Sequence, residues 1–203
     1  MITLIHSKEN EMSHLDRDPW VNVKTFNGFQ ADHVISALQK EIRRGNTENA
    51  ALLAYEMILT SPQLEDYLWQ RLKVISVEDI GFGEPLAPLL IQSLFEMTSA
   101  CDRAVGERKL YAIHAVRYLC LCKKDRSSDE LINWINNASK SSKLLPTIPE
   151  YALDMHTAEG QKNGRGRRHF FDEASRIMPE LENRDLTYRN RIIDMLDSGE
   201  LKD

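Results

Sequence analysis

Asp32-His33-Val34-Ile35-Ser36-Ala37-Leu38-Gln39-Lys40-Glu41-Ile42-Arg43-Arg44-Gly45 is the stretch from which the fold can be read. Val34, Ile35, Leu38 and Ile42 recur at the spacing of one helix face, Asp32 is placed to accept free amide bonds at the start, and Gly45 supplies the stop. Downstream, Asn46 or Thr47 offers a cap for the run from Ala50 to Leu59, whose small and straight-chain residues lose little entropy in a helix. Ser61-Pro62 restarts the pattern with a cap residue and a first-turn proline, and Leu64, Tyr67, Leu68, Leu72 and Ile75 share a face. This third helix is expected to fade through Glu78-Asp79-Ile80-Gly81-Phe82-Gly83.

Further helices are predicted over 85–97 and 103–122, the latter with Leu110, Ile113, Val116, Leu119 and Cys120 inward. Ser127-Ser128-Asp129-Glu130 has the layout of a capping box, opening a helix that contains Leu131, Ile132, Trp134 and Ile135. A loop over 139–149 is followed by a short helical reading over 151–157 and a turn through Gly160, Gly164 and Gly166. Two last helices are expected over 169–178 and 185–196. No segment alternates long enough to demand a strand, and the hairpins share no fixed repeat period. The expectation is an all-α, irregular helical bundle: an N-terminal arm over 1–30, docked through Trp20, Val21, Val23, Phe26 and Phe29, and one helical domain over 31–203. Within that domain, 31–138 forms the core and 139–203 the loop, the Gly/Arg-rich turn and the last helices.

Composition agrees. The 203 residues are 42% hydrophobic and 28% charged, with 7% aromatics and 9 glycines, which fits a helical core and excludes disordered and collagen-like chains. Three cysteines, Cys101, Cys120 and Cys122, lack structural-zinc spacing and fit a reducing setting. With no apolar run long enough to cross a bilayer and no signal-peptide layout at Met1, a cytoplasmic location is expected. The formal net charge of -5 disfavours a surface coated with nucleic acid. Basic residues nonetheless crowd two stretches, Arg103, Arg108, Lys109, Arg117, Lys123, Lys124 and Arg126 in one, and Lys162, Arg165, Arg167 and Arg168 in the other.

Candidate chemistry is sparse. The P-loop pattern, whose amides and lysine wrap phosphates, is absent, and Gly81-Phe82-Gly83 reads as a turn rather than a dinucleotide fingerprint. Glu78 and Asp79 are adjacent, about 100° apart on a helix, so a shared-proton pair is not expected. Capping, or binding a neighbour's basic side chain, is the stronger reading. The histidines show no metal-ligand spacing, and His114 reads as a core or interface residue. The cysteines lie in apolar helix and read as inert. No metal or cofactor is expected. The richest stretch runs from Asp154 through His156, Gly160, Lys162, Gly164, Arg165, Gly166, Arg167, Arg168 and His169 to Phe171. Glycines admit close backbone approach, arginines supply planar forks for phosphate or carboxylate, and the Phe pair gives an apolar anchor. An oligomer interface, a nucleic-acid contact and a solvated basic loop all fit it.

Several of these segments resemble one family. Ile35-Ser36-Ala37-Leu38-Gln39-Lys40, Ile42-Arg43-Arg44-Gly45, Asn49-Ala50-Ala51-Leu52 and Leu72-Lys73-Val74-Ile75-Ser76-Val77-Glu78-Asp79-Ile80-Gly81 are similar, in order and spacing, to the region after the ATPase module in the RarA/MgsA family, replication-associated recombination proteins related to clamp loaders. The motif residues are Lys40, Arg43, Arg44, Glu78, Asp79 and Gly81, with His156, Gly160, Gly164 and Gly166 a looser match to the family's C-terminal portion. Arg165-Gly166-Arg167-Arg168-His169-Phe170-Phe171 stands where the family has an aromatic and proline-rich run. The resemblance implies a clamp-loader collar-type helical domain that forms a homotetramer beside a DNA-dependent ATPase. With no Walker motif here, ATP hydrolysis does not carry over. The arm after Met1 leads us to expect a free-standing relative rather than an excised piece.

The leading expectation is a non-enzymatic, self-associating interaction module in DNA replication or repair, with DNA or replication and repair proteins as partners and no membrane. Its alternatives are direct nucleic-acid binding through Lys162, Arg165, Arg167, Arg168 and His169, and an enzyme assembled around Glu78, Asp79, His114 and His156.

Overall fold

A computed structural model of the chain describes residues 18–140 and 144–203. Among these, regular structure is helical, and extended backbone pairs only at an isolated antiparallel bridge between Lys24 and Gln30. The chain divides into two compact units, Met1–Lys140 and Ser141–Asp203.

The first unit holds α1 (Ala31–Arg44), α2 (Thr47–Thr60), α3 (Pro62–Ile75), α4 (Ala87–Ser99), α5 (Glu107–Leu121) and α6 (Ser127–Lys140). Its core is a single apolar cluster. Val34, Leu38 and Ile42 from α1 meet Leu64, Leu68, Trp69, Leu72 and Ile75 from α3, Ile91 from α4, and Val116 and Leu119 from α5. Small residues set the closest seams: Ala50 and Ala54 of α2 and Ala112 and Ala115 of α5 are all buried where these two helices pack. Ser61 caps α3 as expected, its Oγ accepting from the Leu64 amide at 3.1 Å ahead of Pro62. Gly45, at φ 76, ends α1 and donates to the carbonyls of Glu41 and Ile42.

Some local expectations are corrected. Asp32 lies inside the first turn of α1, behind Gln30, so its carboxylate does not cap, and one of its oxygens is buried without a partner. Asn46 makes no side-chain cap bond to α2. The Ser127 capping box does not form, because the helix begins one residue earlier in hydrogen-bond register. Glu130 N donates to the Arg126 carbonyl at 2.9 Å, and the Ser127 amide donates to the Asp125 carboxylate at 2.9 Å. Those Ser127 bonds hold the Asp125 carboxyl below its ordinary range. Leu110 is exposed, since the inward stripe of α5 is set by Ala112, Ala115, Val116 and Leu119, and Leu110 sits roughly 200° around the helix from Ala112.

Of the arm over 1–30, residues 1–17 lie outside the described residues. Trp20 and Val23 pack on the core, Trp20 against Tyr67 with ring centroids 5.3 Å apart. Phe26 and Phe29, expected to dock, are exposed. They flank a turn held by polar bonds instead: Asn27 N donates to Glu56 Oε1 at 2.7 Å and Phe26 N to Thr60 Oγ1 at 3.0 Å.

The second unit is built differently. A 3₁₀ turn (Glu150–Ala152) precedes α7 (Ala158–Lys162); α8 (Arg167–His169) runs into a π turn over Phe170–Ala174; and α9 (Thr187–Ser198) follows. Gly160, read as part of a turn, lies inside α7 and is buried, because Thr157 caps that helix by accepting from the Gly160 amide at 3.0 Å. None of the fully buried apolar side chains among the described residues belongs to this unit. Polar bonds and ring contacts hold it, including His156 on Phe170 at 5.3 Å and Phe170 on Phe171 at 5.2 Å.

Candidate functional site

The expected fading of α3 takes a specific form. Ser76–Ile80 make a π turn in which the Gly81 amide reaches the Ser76 carbonyl, and Gly81–Gly83 tighten into a 3₁₀ turn. Single π turns widen a helix and re-aim its side chains. Here the turn brings the neighbouring carboxylates of Glu78 and Asp79 to one set of donors. Asp79 is fully buried and accepts from Gln39 Nε2 at 2.9 Å, from Arg126 Nη1 at 2.6 Å and from Arg43 Nε. Glu78 accepts from Gln39 Nε2 at 2.8 Å and, at 3.3 Å each, from Arg43 and Arg126. Arg71 donates to Gln39 Oε1, and Asp129 takes the other side of Arg126. Burial disfavours the charged form of Arg126, but Asp79 outweighs it, with Glu78 and Asp129 adding to the pull, and the guanidinium stays protonated.

This junction clamps three segments: α1 through Gln39 and Arg43, the end of α3 through Glu78 and Asp79, and the start of α6 through Arg126 and Asp129. The backbone joins in, since the Asp125 amide lies 3.1 Å from the carbonyls of both Asp79 and Ile80. Gly81 is needed here twice over. Its φ is 51, and a Cβ would lie 2.4 Å from the Asp125 carbonyl oxygen. Of the other motif residues, Arg43 points into the junction, whereas Lys40 and Arg44 stay on the exposed side of α1, bonded to Ser36 Oγ and the Lys40 carbonyl. The reading that Glu78 and Asp79 bind a neighbour's basic side chains matches these contacts. Sequence reasoning gave no role to Gln39, Arg71 or Asp129; only the spacing of Gln39 and Arg43, four apart on one helix face, hinted at a shared function.

Beside the junction lies an apolar surface. α6 is amphipathic, yet none of its residues is buried, and it packs principally on the π turn. Val74 (42% exposed), Val77 (52%) and Ile132 (50%) line a groove of about 480 Å³ with Lys73, Glu78, Ser128 and Asp129. A smaller recess between Phe82, Pro85 and Pro88 shares Val77 and Ser128 with it, so the apolar surface is continuous.

The basic stretch over 103–126 is largely consumed inside the first unit. Arg108 is buried and bonds Glu65 at 2.8 Å together with the carbonyls of Thr98 and Cys101. Arg103 grips Asp66 and Glu65, each at 2.8 Å, and Asp66 above all keeps its charge. Lys124 donates to the carbonyls of Leu119, Cys120 and Cys122.

In the second unit, Arg165 turns inward to the carbonyls of Glu150 and Leu153 and pairs with the Glu150 carboxylate. Arg167 donates to the Lys202 carbonyl at 2.6 Å, and Arg168 pairs with Asp197. Lys162 is exposed, Gly164 makes the reversal after α7 at φ 70, and Gly166 sits against Asp203. His156 Nδ1 lies 3.0 Å from Asp154, whose carboxyl these His156 bonds lower. His169 Nδ1 is buried without a partner.

His114, expected in a core or interface, is exposed on α5. It is not among the residues that contact Glu78 or Asp79, whose partners are Gln39, Arg43 and Arg126. Among the described residues no group of three or more His, Cys, Asp and Glu could hold a metal, and no helix is long and apolar enough to cross a membrane. Burial raises the thiols of Cys120 and Cys122, and raises the neighbouring Tyr118 to about 12, so none is poised as a nucleophile near neutrality.

No family model matches the sequence. The chain is 31% identical over 130 residues to the replication-associated recombination protein A of Haemophilus influenzae, a span covering 64% of this chain and 27% of that protein. The chain thus corresponds to little more than a quarter of that relative's length. With the motif order from Ile35 to Gly81, this identity relates the chain to the RarA group of replication-associated recombination proteins.

Proposed function

We propose that this chain is a non-catalytic helical module through which copies of it associate with one another, acting in DNA replication or recombination as a collar-like relative of the RarA C-terminal region. The observation that carries this is the continuous apolar surface of Val74, Val77, Phe82 and Ile132, bordered by an α6 with no buried residue. Exposed, contiguous apolar surface on a water-borne protein marks a contact site. The junction of Glu78 and Asp79 supports the reading from the other side: its charges are mutually satisfied, which suits a rigid platform better than a reacting pair. α6 also carries acids in its first turn and Lys140 in its last, so two copies packed antiparallel would place opposite charges together.

Sedimentation velocity tests the proposal. The chain is expected above its 23.4 kDa monomer mass at high micromolar concentration, and Val77→Asp with Ile132→Asp should return it to monomer while leaving helical content unchanged. A wild-type chain that stays monomeric sinks the self-association reading. The homotetramer drawn from the family resemblance is the specific stoichiometry to look for.

A further inference from the structure

We propose that Arg167 and Arg168 form a surface for the phosphate backbone of nucleic acid, and that the acidic segment from Asp197 to Asp203 covers it as an internal stand-in for phosphate. The inference does not depend on self-association, since it involves other residues in the other unit.

Three contacts bring the segment back onto the arginines. The Arg168 guanidinium pairs with the Asp197 carboxylate, the Arg168 amide donates to Asp203 Oδ1 at 2.7 Å, and Arg167 Nη1 donates to the Lys202 carbonyl at 2.6 Å. The path back is made by the end of α9. Gly199, at φ 77, breaks the helix, and Leu201 N turns to the Met195 carbonyl at 2.9 Å. Asp197, Glu200 and Asp203 against Lys202 leave this segment net acidic.

Gly166 shows that the fit is close. Its backbone, at φ -101, is open to any residue, yet a Cβ would lie 2.3 Å from Asp203 Oδ1 and 2.8 Å from its Cγ. The carboxylate therefore occupies the place of a side chain, and glycine is needed for the seating of Asp203, not for the turn. The cover is also weakly held. Arg168 and Asp197 are 39% and 58% exposed, and ion pairs so wetted are readily exchanged for another anion. A nucleic-acid backbone presents such anions in series and gains further from counterion release. Arg165 is different: it is bound to two carbonyls and a carboxylate of its own unit and is held as structure.

The test is fluorescence anisotropy of a labelled oligothymidine strand with the full chain at low ionic strength. Asp197→Asn with Asp203→Asn should raise affinity on the order of tenfold and steepen the salt dependence by roughly one to two units of log-log slope, as two more phosphate contacts would. Gly166→Ala, which changes no charge, should also raise affinity by displacing Asp203. Adding Arg167→Ala and Arg168→Ala should remove both gains. A control of equal charge change outside the covering segment, Glu159→Gln with Glu182→Gln, should have little effect. The proposal is overturned if the control matches the Asp197/Asp203 variant, if Gly166→Ala keeps wild-type affinity with its helical spectrum intact, or if no variant binds. Unchanged sedimentation of these variants would separate this outcome from the fate of the self-association proposal.

Discussion

Two charged clusters, one in each unit, are made from the same groups to opposite effect. In the first unit a carboxylate is central: Asp79 is fully buried and surrounded by Gln39, Arg43 and Arg126, and the cluster ties α1, the π turn and α6 together. In the second, arginines are central and carboxylates come to them from the last residues of the chain, at the surface. Burial decides the difference. A buried charge stripped of its partner has no water to turn to, so the first cluster is committed to the fold, while an exposed pair can trade partners at little cost.

The comparison breaks if Asp79 can be lost cheaply. Asp79→Ala removes the fully buried centre of the cluster and leaves Arg43 and Arg126 sharing Glu78, so it should cost about 3 kcal/mol, the low end for a broken buried pair. All three tryptophans, Trp20, Trp69 and Trp134, lie in the first unit, so urea unfolding followed by tryptophan fluorescence reads that unit. A loss under about 1 kcal/mol, the range of surface pairs, would erase the distinction. Gly81→Ala should come next, at about 1–3 kcal/mol by the same measurement, because the left-handed φ and the Asp125 carbonyl both oppose a side chain.

A pH series sharpens the comparison within the first unit. Burial pushes the Glu56 carboxyl up, but the Asn27 amide, then Thr25 and the Asn27 side chain, outweigh it and hold the group below its ordinary value. A lowered folded value means the ionised form stabilises the fold above the unfolded pKa of about 4.3, and that this contribution is lost as pH falls through the folded value. Glu56→Gln should therefore be less stable than wild type at pH 7, by about 1 kcal/mol, and should show a shallower acid decline. Equal acid slopes would remove Glu56 as the cause. The smallest effect is expected at Arg168→Ala, about 0–1 kcal/mol, read by circular dichroism with the tryptophan signal unmoved.

Much of the helical order was legible because it rests on local signals. Val34, Leu38 and Ile42 fall on one stripe, and Ser61-Pro62 caps and starts α3 whatever surrounds it. Reading failed where a local signal met a stronger neighbour. Ser127 lost its cap role when Asp125, tied to the π turn, took the Ser127 amide first. Leu110 shares a helical-spacing stripe with Ile113, Val116 and Leu119, but the alanines of α5 admit α2 and turn the buried face away from it. Arg108, Lys124 and Arg165 are bound within their own units, a placement that charge counts could not give because they carry no information about which distant carbonyl or carboxylate a cation will meet.

By itself the sequence determined the all-α class, the order of the helices, the motif likeness to RarA and the absence of a P-loop, because periodicity, caps and motifs are properties of neighbours along the chain. Only the tertiary structure decided that Glu78 and Asp79 share one set of donors, that α6 buries none of its residues within the described chain, and that Asp203 lies where a Gly166 side chain would stand. The first and the last of those depend on the meeting of residues from 35 to 48 positions apart, as at Glu78 with Arg43 and with Arg126 and at Arg168 with Asp203. Burial, which sets the worth of every charge in this molecule, exists only once they have met.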